Sequence, residues 1–226
     1  VVVNASRENH TLTKLRKWTE EIEKPLTIIN MSLRQSHEQC MNAGLDMAIG
    51  DYVYEFDGTD MPYPEAILWD AYQSAMSGND IVTVCPKTVK GWSRMFYRIF
   101  NANSNAAYEL RTDVFRLVSR RAINRAHAIG DNLPYRKAAY ASCGLKMSVL
   151  EFDGAVEGKK TERFEVAMDS LTLYTNFGYK FSLGLTACMF LATLAELAYT
   201  ITVWLTGNPI SGWTTTMFVL TLGLAG

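Results

Sequence analysis

From Phe181 to Gly226 the only charged side chain is Glu196. A stretch so poor in charge cannot be a solvated face, and this limits the fold more than any other feature of the chain. As a helix, residues 183–205 extend roughly 35 Å at 1.5 Å per residue, enough to cross a hydrocarbon core of about 30 Å. Gly207-Asn208-Pro209-Ile210-Ser211-Gly212 reads as an uncharged turn, and Trp213 lies where an interfacial aromatic belongs. A second apolar run begins at Thr214 and is cut off at Gly226. The tail therefore reads as a transmembrane helical hairpin over 182–226, with a buried hairpin of a soluble protein as the alternative. The other charges all lie on the N-terminal side of the first span, so the positive-inside bias predicts a multi-pass membrane protein with its globular part in the cytoplasm. Glu196 falls mid-span, where a carboxylate is costly in lipid, so it faces protein or carries a proton. A polar contact between helices of one chain, or between neighbouring chains of a homo-oligomer, accounts for it.

Before about Lys180, charges are spread throughout, as in a soluble domain. The whole-chain mean hydropathy of −0.03 hides this division. A net charge of −1 gives no basic face, so nucleic acid is not expected as a partner. Cys40, Cys85, Cys143 and Cys188 are scattered with no C-x-x-C, which predicts reduced thiols in a cytosolic setting and no structural zinc. The chain opens on Val-Val-Val and closes inside an apolar run, and it reads as a fragment lacking residues at both ends, an N-terminal strand among them.

Along the globular part, apolar runs of period two alternate with helical patterns. Strands are predicted at 1–3, 26–31, 51–56 and 81–85, with helices at 11–23, 37–49 and 66–76 between them. This alternation predicts an α/β domain over 1–155 with a mostly parallel sheet and crossover helices. After Gly91 the pattern loosens to a basic-aromatic helix at 92–103, a short strand at 114–118, a helix at 119–128 and a last strand at 146–152. Residues 156–181 form an amphipathic juxtamembrane segment, helical over 161–177, with Lys159, Lys160 and Arg163 at its start. A basic cluster ahead of an apolar face suits a helix lying on anionic lipid, and a helix packed on the sheet is the alternative. His10, His37 and His127 are lone histidines without metal spacing, read as surface or capping residues.

Several segments carry a resemblance: Met41-Asn42-Ala43-Gly44-Leu45, Ala48-Ile49-Gly50-Asp51-Tyr52-Val53, Phe56-Asp57, Pro64-Glu65 and Phe115-Arg116-Leu117-Val118-Ser119-Arg120-Arg121-Ala122. In this order they resemble the inverting family-2 glycosyltransferases of GT-A fold. Gly212-Trp213-Thr214-Thr215 followed by Met217 resembles the start of the second span in the dolichol-phosphate-mannose-synthase-like and bactoprenol-glucosyltransferase-like members. The resemblance implies a GT-A-like sheet followed by the membrane hairpin. It also implies an enzyme of cell-envelope glycan assembly that moves a sugar from a nucleotide sugar to a polyprenyl phosphate among membrane lipids. It further implies catalytic roles for Asp57, Asp60 and Asp113, nucleotide-sugar contacts from Asn4, Ser6 and Asp57, and Mg²⁺ or Mn²⁺ on Asp57 and Asp60. Carboxylate oxygens suit these hard cations. Arg116, Arg120, Lys159 and Lys160 are the implied ligands of the acceptor phosphate.

The chain also departs from the family pattern. Asn4-Ala5-Ser6 stands where a D-D-G-S-like turn is usual, and Thr59 where the second Asp of D-x-D falls, with Asp60 one place late. His37 replaces a lysine, and Val114 replaces an Asp, with Asp113 one place early. These changes gather at donor and metal positions. They support a second reading, an inactive homologue serving as a membrane-bound assembly or regulatory partner.

Overall fold

The computed structural model describes the chain except residues 6–8, 22–24, 33–34, 59, 90, 105, 130–134, 156–170, 172, 208–211 and 226. It divides into two compact units, Val1–Thr175 and Asn176–Gly226.

The first unit runs β1 (Val2–Asn4), α1 (Asn9–Glu21), β2 (Ile28–Asn30), α2 (His37–Met47), β3 (Tyr52–Phe56), α3 (Ala66–Met76), β4 (Ile81–Thr88), α4 (Gly91–Asn103), β5 (Phe115–Ser119), α5 (Arg120–His127), α6 (Arg136–Ser142) and β6 (Met147–Ala155). Strands β1 and β2 pair in parallel as a small sheet. The main sheet has the order β3-β5-β4-β6. Strands β3, β4 and β6 share one direction, but β5 runs against both its neighbours, so β4–β6 is the parallel pairing in this sheet among the described residues. The mostly parallel sheet expected from the α/β alternation is therefore corrected to a mixed one. Val84 in the middle of β4 lies opposite Phe115 at the start of β5, and Ile81 at the start of β4 lies opposite Val118. Helix α4 and the segment after it thus return the chain to the end of the sheet it left, and β5 must enter antiparallel.

Period-two alternation sends the strand side chains to two cores. Val82, Val84, Phe115 and Leu117 pack under α3 with Tyr63, Ile67, Ala71, Ala75 and Phe152. Burying a ring such as Phe115, fully covered here, stabilises by about 1.5–3 kcal/mol. Ile81 and Val118 face the other way, with Leu45, Ala122, Ile123, Ala126, Ala139 and Tyr140 of α2, α5 and α6. Two motif glycines owe their identity to close approach. A Cβ on Gly50 would lie 2.9 Å from the Tyr52 carbonyl oxygen, and one on Gly44 3.2 Å from Val3 Cγ2, where α2 rests on β1.

The second unit holds α7 (Phe177–Leu205) and α8 (Trp213–Ala225). Helix α7 starts six residues before the predicted span and is long and apolar enough to cross a membrane. Leu183, Phe190, Leu191, Trp204 and Leu205 stand exposed along it. Helix α8 has 13 residues, roughly 20 Å, short of a full crossing. Among the described residues one helix, not two, reaches spanning length. Tyr199 and Trp213 meet edge to face across the turn, with ring centroids 5.8 Å apart. Most of the juxtamembrane helix expected at 161–177 lies outside the described residues, as do Ser6, Lys159 and Lys160.

Candidate active site

Four separate segments deliver charge to the carboxyl end of β3. Alternation along that strand puts Glu55 on the α6 side of the sheet, with Asp57 at the next position of the same parity. Arg116 is the register partner of Glu55 on β5, and Asp113 precedes it by three residues. Helix α6 opens with Arg136 and Lys137 and carries Tyr140 one turn on. Helix α2 opens with His37 and Glu38, held in place by a capping box. The Ser36 hydroxyl accepts from the Gln39 backbone N–H, and the Gln39 side chain accepts from the Ser36 N–H at 3.0 Å.

The guanidinium of Arg116 joins three carboxylates. Its Nη1 lies 3.1 Å from Glu55 Oε2, its Nη2 2.7 Å from Asp57 Oδ2 and its Nε 2.9 Å from Asp113 Oδ2. Arg136 Nε faces Glu38 Oε2 at 3.2 Å, and its Nη2 reaches Asp57 Oδ1 at 3.4 Å. Lys137 pairs with Asp113 and lies 3.9 Å from Asp57 Oδ2. The Tyr140 hydroxyl donates to Glu55 Oε1. Four carboxylates (Glu38, Glu55, Asp57, Asp113) thus share three permanent cations (Arg116, Arg136, Lys137), leaving one negative charge over.

Exposure separates the walls of this cluster from its mouth. Arg116, Glu55 and Arg136 are sealed, whereas the Asp57 side chain keeps 24 % of its surface and His37 keeps 45 %. His37 Nε2 stands 4.0 Å from Asp57 Oδ1 on that open side. Burial alone would raise the Asp57 carboxyl, but Arg116, the His37 ring, Lys137 and Arg136 together hold it well below the usual carboxylate range. Burial likewise opposes the charge on Lys137, yet Asp113 foremost, with Asp57, pushes it above the ordinary ammonium value. Behind Asp113 and Lys137 lies a cavity of about 30 Å³ lined also by Thr83, Cys85 and Tyr140, room for a water.

Of the residues singled out in the sequence, Asp57, Asp113 and Arg116 meet in this cluster. Asp60 is exposed and takes no part in it. The Asn4 amide is buried and donates to Asn30 Oδ1 at 3.3 Å, joining the ends of β1 and β2. Arg116 and Arg120 are not brought together. Arg116 lies opposite Glu55, whereas the Arg120 backbone N–H donates to the Asp51 carbonyl, and Asp51 and Glu55 are about 13 Å apart at 3.3 Å per residue. Arg120 donates to the carbonyls of Ala48 and Gly50. In this arrangement Arg116 contacts carboxylates and Arg120 contacts backbone carbonyls, and an acceptor-phosphate role for either is a proposal.

The rest of that motif is structural as well. Ser119 caps α5 through the Ala122 N–H and donates to Asp80 Oδ1 at 2.9 Å, while Arg121 clasps both Asp80 oxygens. The sequence reading missed Glu38, Glu55, Arg136, Lys137 and Tyr140, and it takes His37 as a surface or capping residue standing in place of a family lysine. A charged residue between aromatic neighbours in Tyr54-Glu55-Phe56 was the available signal for Glu55, and Arg136-Lys137 ahead of an alanine-rich helix was the signal for α6.

The donor set admits a divalent cation in a reduced form. Asp57 Oδ2 is committed to Arg116, but Oδ1 has only long contacts and faces the open mouth. The surplus negative charge also favours a cation there. Among the described residues, no group of three or more His, Cys, Asp and Glu side chains is spaced to hold a metal, so any ion would need oxygens from a substrate as well.

No family model matches the chain. Over 160 residues it is 24 % identical to an uncharacterized glycosyltransferase of Synechocystis sp., a match covering 68 % of this chain and 50 % of the relative. Over 187 residues it is 21 % identical to the uncharacterized glycosyltransferase YkcC of Bacillus subtilis, covering 77 % of this chain and 57 % of the relative. The chain thus spans about half the length of these curated relatives. In three dimensions it is similar to the mannosyltransferase PcManGT of Pyrobaculum calidifontis, whose structure was solved with GDP-Man and Mn²⁺. The TM-score is 0.50 at 16 % identity, covering 99 % of this chain and 75 % of that one. The chain is similar in sequence to glycosyltransferases and shares the fold of one.

Proposed function

We propose that the chain is the membrane-anchored body of a glycosyltransferase that moves a sugar from a nucleotide-sugar donor onto a polyprenyl phosphate at the cytoplasmic face of a membrane. The observation that carries this reading is the state of Asp57. It is an ionised, reachable carboxylate at the carboxyl end of a strand, where α/β sheets gather their ligand groups, with Arg136, Lys137 and His37 around it. Nη1 of Arg136 is a buried donor with no acceptor among the described residues, so the positive charge of Arg136 acts on the mouth from behind Asp57. Lys137, 15 % exposed, brings a second cation to the same side. Arg116 holds Asp57, Glu55 and Asp113 in one arrangement and is a positioning residue.

A Mg²⁺ or Mn²⁺ ion bound at Asp57 would offset charge on the leaving diphosphate. The acceptor is already an anion, so a strong general base is dispensable, which suits an Asp113 held between Arg116 and Lys137. Asn4 and Ser6 remain the proposed nucleotide edge, and Lys159 and Lys160 the proposed acceptor ligands. Helix α7 and the apolar run after it would anchor the chain as a two-span hairpin. For a cysteine introduced at Ser211, labelling only from the cytoplasmic side refutes that topology.

The test uses the full chain in proteoliposomes, with labelled uridine and guanosine diphosphate sugars and a short polyprenyl phosphate. Transfer of label to the lipid that chelator and Asp57→Asn both abolish is the expected result. One observation favours a second reading, an inactive homologue acting as an assembly or regulatory partner: three cations of the chain itself face Asp57, and Asp60 stands apart. Lipid-phosphate binding with no transfer and no donor binding would select it.

A further inference from the structure

We propose that His37 is a ligand of the divalent cation, forming with Asp57 a two-residue metal site in place of paired carboxylates. This deepens the donor-site reading above and rests on it. His37 opens α2, and its Nε2 lies 4.0 Å from Asp57 Oδ1, the one oxygen of Asp57 without a short partner. Two atoms bound to one ion at about 2.1 Å are separated by about 3 to 4 Å, so this spacing lets both reach a single cation. Both side chains are accessible, unlike the sealed Glu55, Arg116 and Arg136 behind them.

The local sequence agrees with this assignment. Asp60 is exposed and outside the cluster, and Thr59 brings no carboxylate. The capping box at Ser36 and Gln39 fixes the first turn of α2, so His37 is presented from a rigid element. Two protein ligands leave most of the coordination sphere to diphosphate oxygens and water, so metal and nucleotide should bind together.

An imidazole ligand changes which ion is preferred. Mg²⁺ favours all-oxygen surroundings, whereas Mn²⁺ accepts mixed nitrogen and oxygen donors. The site should therefore take Mn²⁺ in preference to Mg²⁺, and His37→Asp should return the preference toward Mg²⁺.

Electron paramagnetic resonance of Mn²⁺ on the full chain in detergent, with and without UDP or GDP, tests this directly. The expected result is nucleotide-enhanced Mn²⁺ binding that shows the nitrogen coupling of a bound imidazole. His37→Gln should remove that coupling and weaken Mn²⁺ by about tenfold or more, while His127→Gln changes neither. His37 is half exposed at a helix start, and circular dichroism of His37→Gln checks that the fold is kept. Mn²⁺ binding without nitrogen coupling, or unchanged in His37→Gln, overturns the assignment and leaves the donor-site reading standing. Nucleotide binding that ignores Mn²⁺ also overturns the assignment alone. Absence of both Mn²⁺ and nucleotide binding overturns it together with the donor-site reading.

Discussion

Arg116 and Glu55 face each other as register partners across β5 and β3, Nη1 to Oε2 at 3.1 Å, with both side chains 1 % exposed. The same guanidinium reaches Asp57 and Asp113, so one planar group neutralises and orients three carboxylates. Its five donors in a fixed fork make this possible, and an ammonium has no such reach.

Arg116→Met should therefore destabilise the first unit by about 3–5 kcal/mol, because it leaves buried carboxylates without their partner. Arg116→Lys should recover little of that loss. Denaturant unfolding of the full chain, followed by near-ultraviolet circular dichroism, measures both. A lysine variant as stable as the parent contradicts the three-way role.

Tyr140→Phe removes the hydroxyl that donates to Glu55 and leaves that buried oxygen one bond short. The expected cost is about 1–3 kcal/mol with no cavity created. A thermal or denaturant midpoint unchanged from the parent would mean that the oxygen has found another donor.

The ionised state of Asp57 predicts a pH dependence with a definite sign. An unfolded aspartate takes up its proton near pH 3.9, whereas Asp57 in the fold resists protonation to well below that. The unfolded chain thus binds more protons as pH falls. The stabilisation is fully present above about pH 4 and is lost as pH drops through the acid range toward the folded value. Asp57→Asn should show a shallower fall in unfolding free energy between about pH 4 and pH 2. An equal slope in the two proteins counts against the ion-paired Asp57.

Ser119→Ala should cost about 1 kcal/mol, since it removes the cap of α5 and a bond to Asp80. Donor binding should be unaltered, because Ser119 lies at the opposite end of β5 from the cluster. Calorimetry with UDP or GDP beside an unfolding curve separates the two effects. A loss of nucleotide affinity without a loss of stability would argue for a site role.

Local pattern sufficed for much of the architecture. Val82 and Val84 alternate with Ile81 and Thr83, so β4 was legible as a strand. The tail after Phe181, with Glu196 as its one charged side chain, marked α7 by composition alone. Asp57 was singled out only through the resemblance of the motifs around it, because an Asp-Gly pair by itself reads as a turn.

Tertiary structure alone decided what Asp57 touches. Its partners come from α2, β5 and α6, and no period in the sequence links His37, Arg116, Arg136 and Lys137. The direction of β5 was equally hidden. Antiparallel pairing follows from where the chain re-enters the sheet, not from the apolar pattern of residues 115–119. That direction aligns Arg116 with Glu55 and sets Arg120 at the far end among carbonyls. Helix and strand periods record which side faces a core, whereas an ion cluster depends on distances between segments far apart in sequence, and those exist only once the chain has closed on itself.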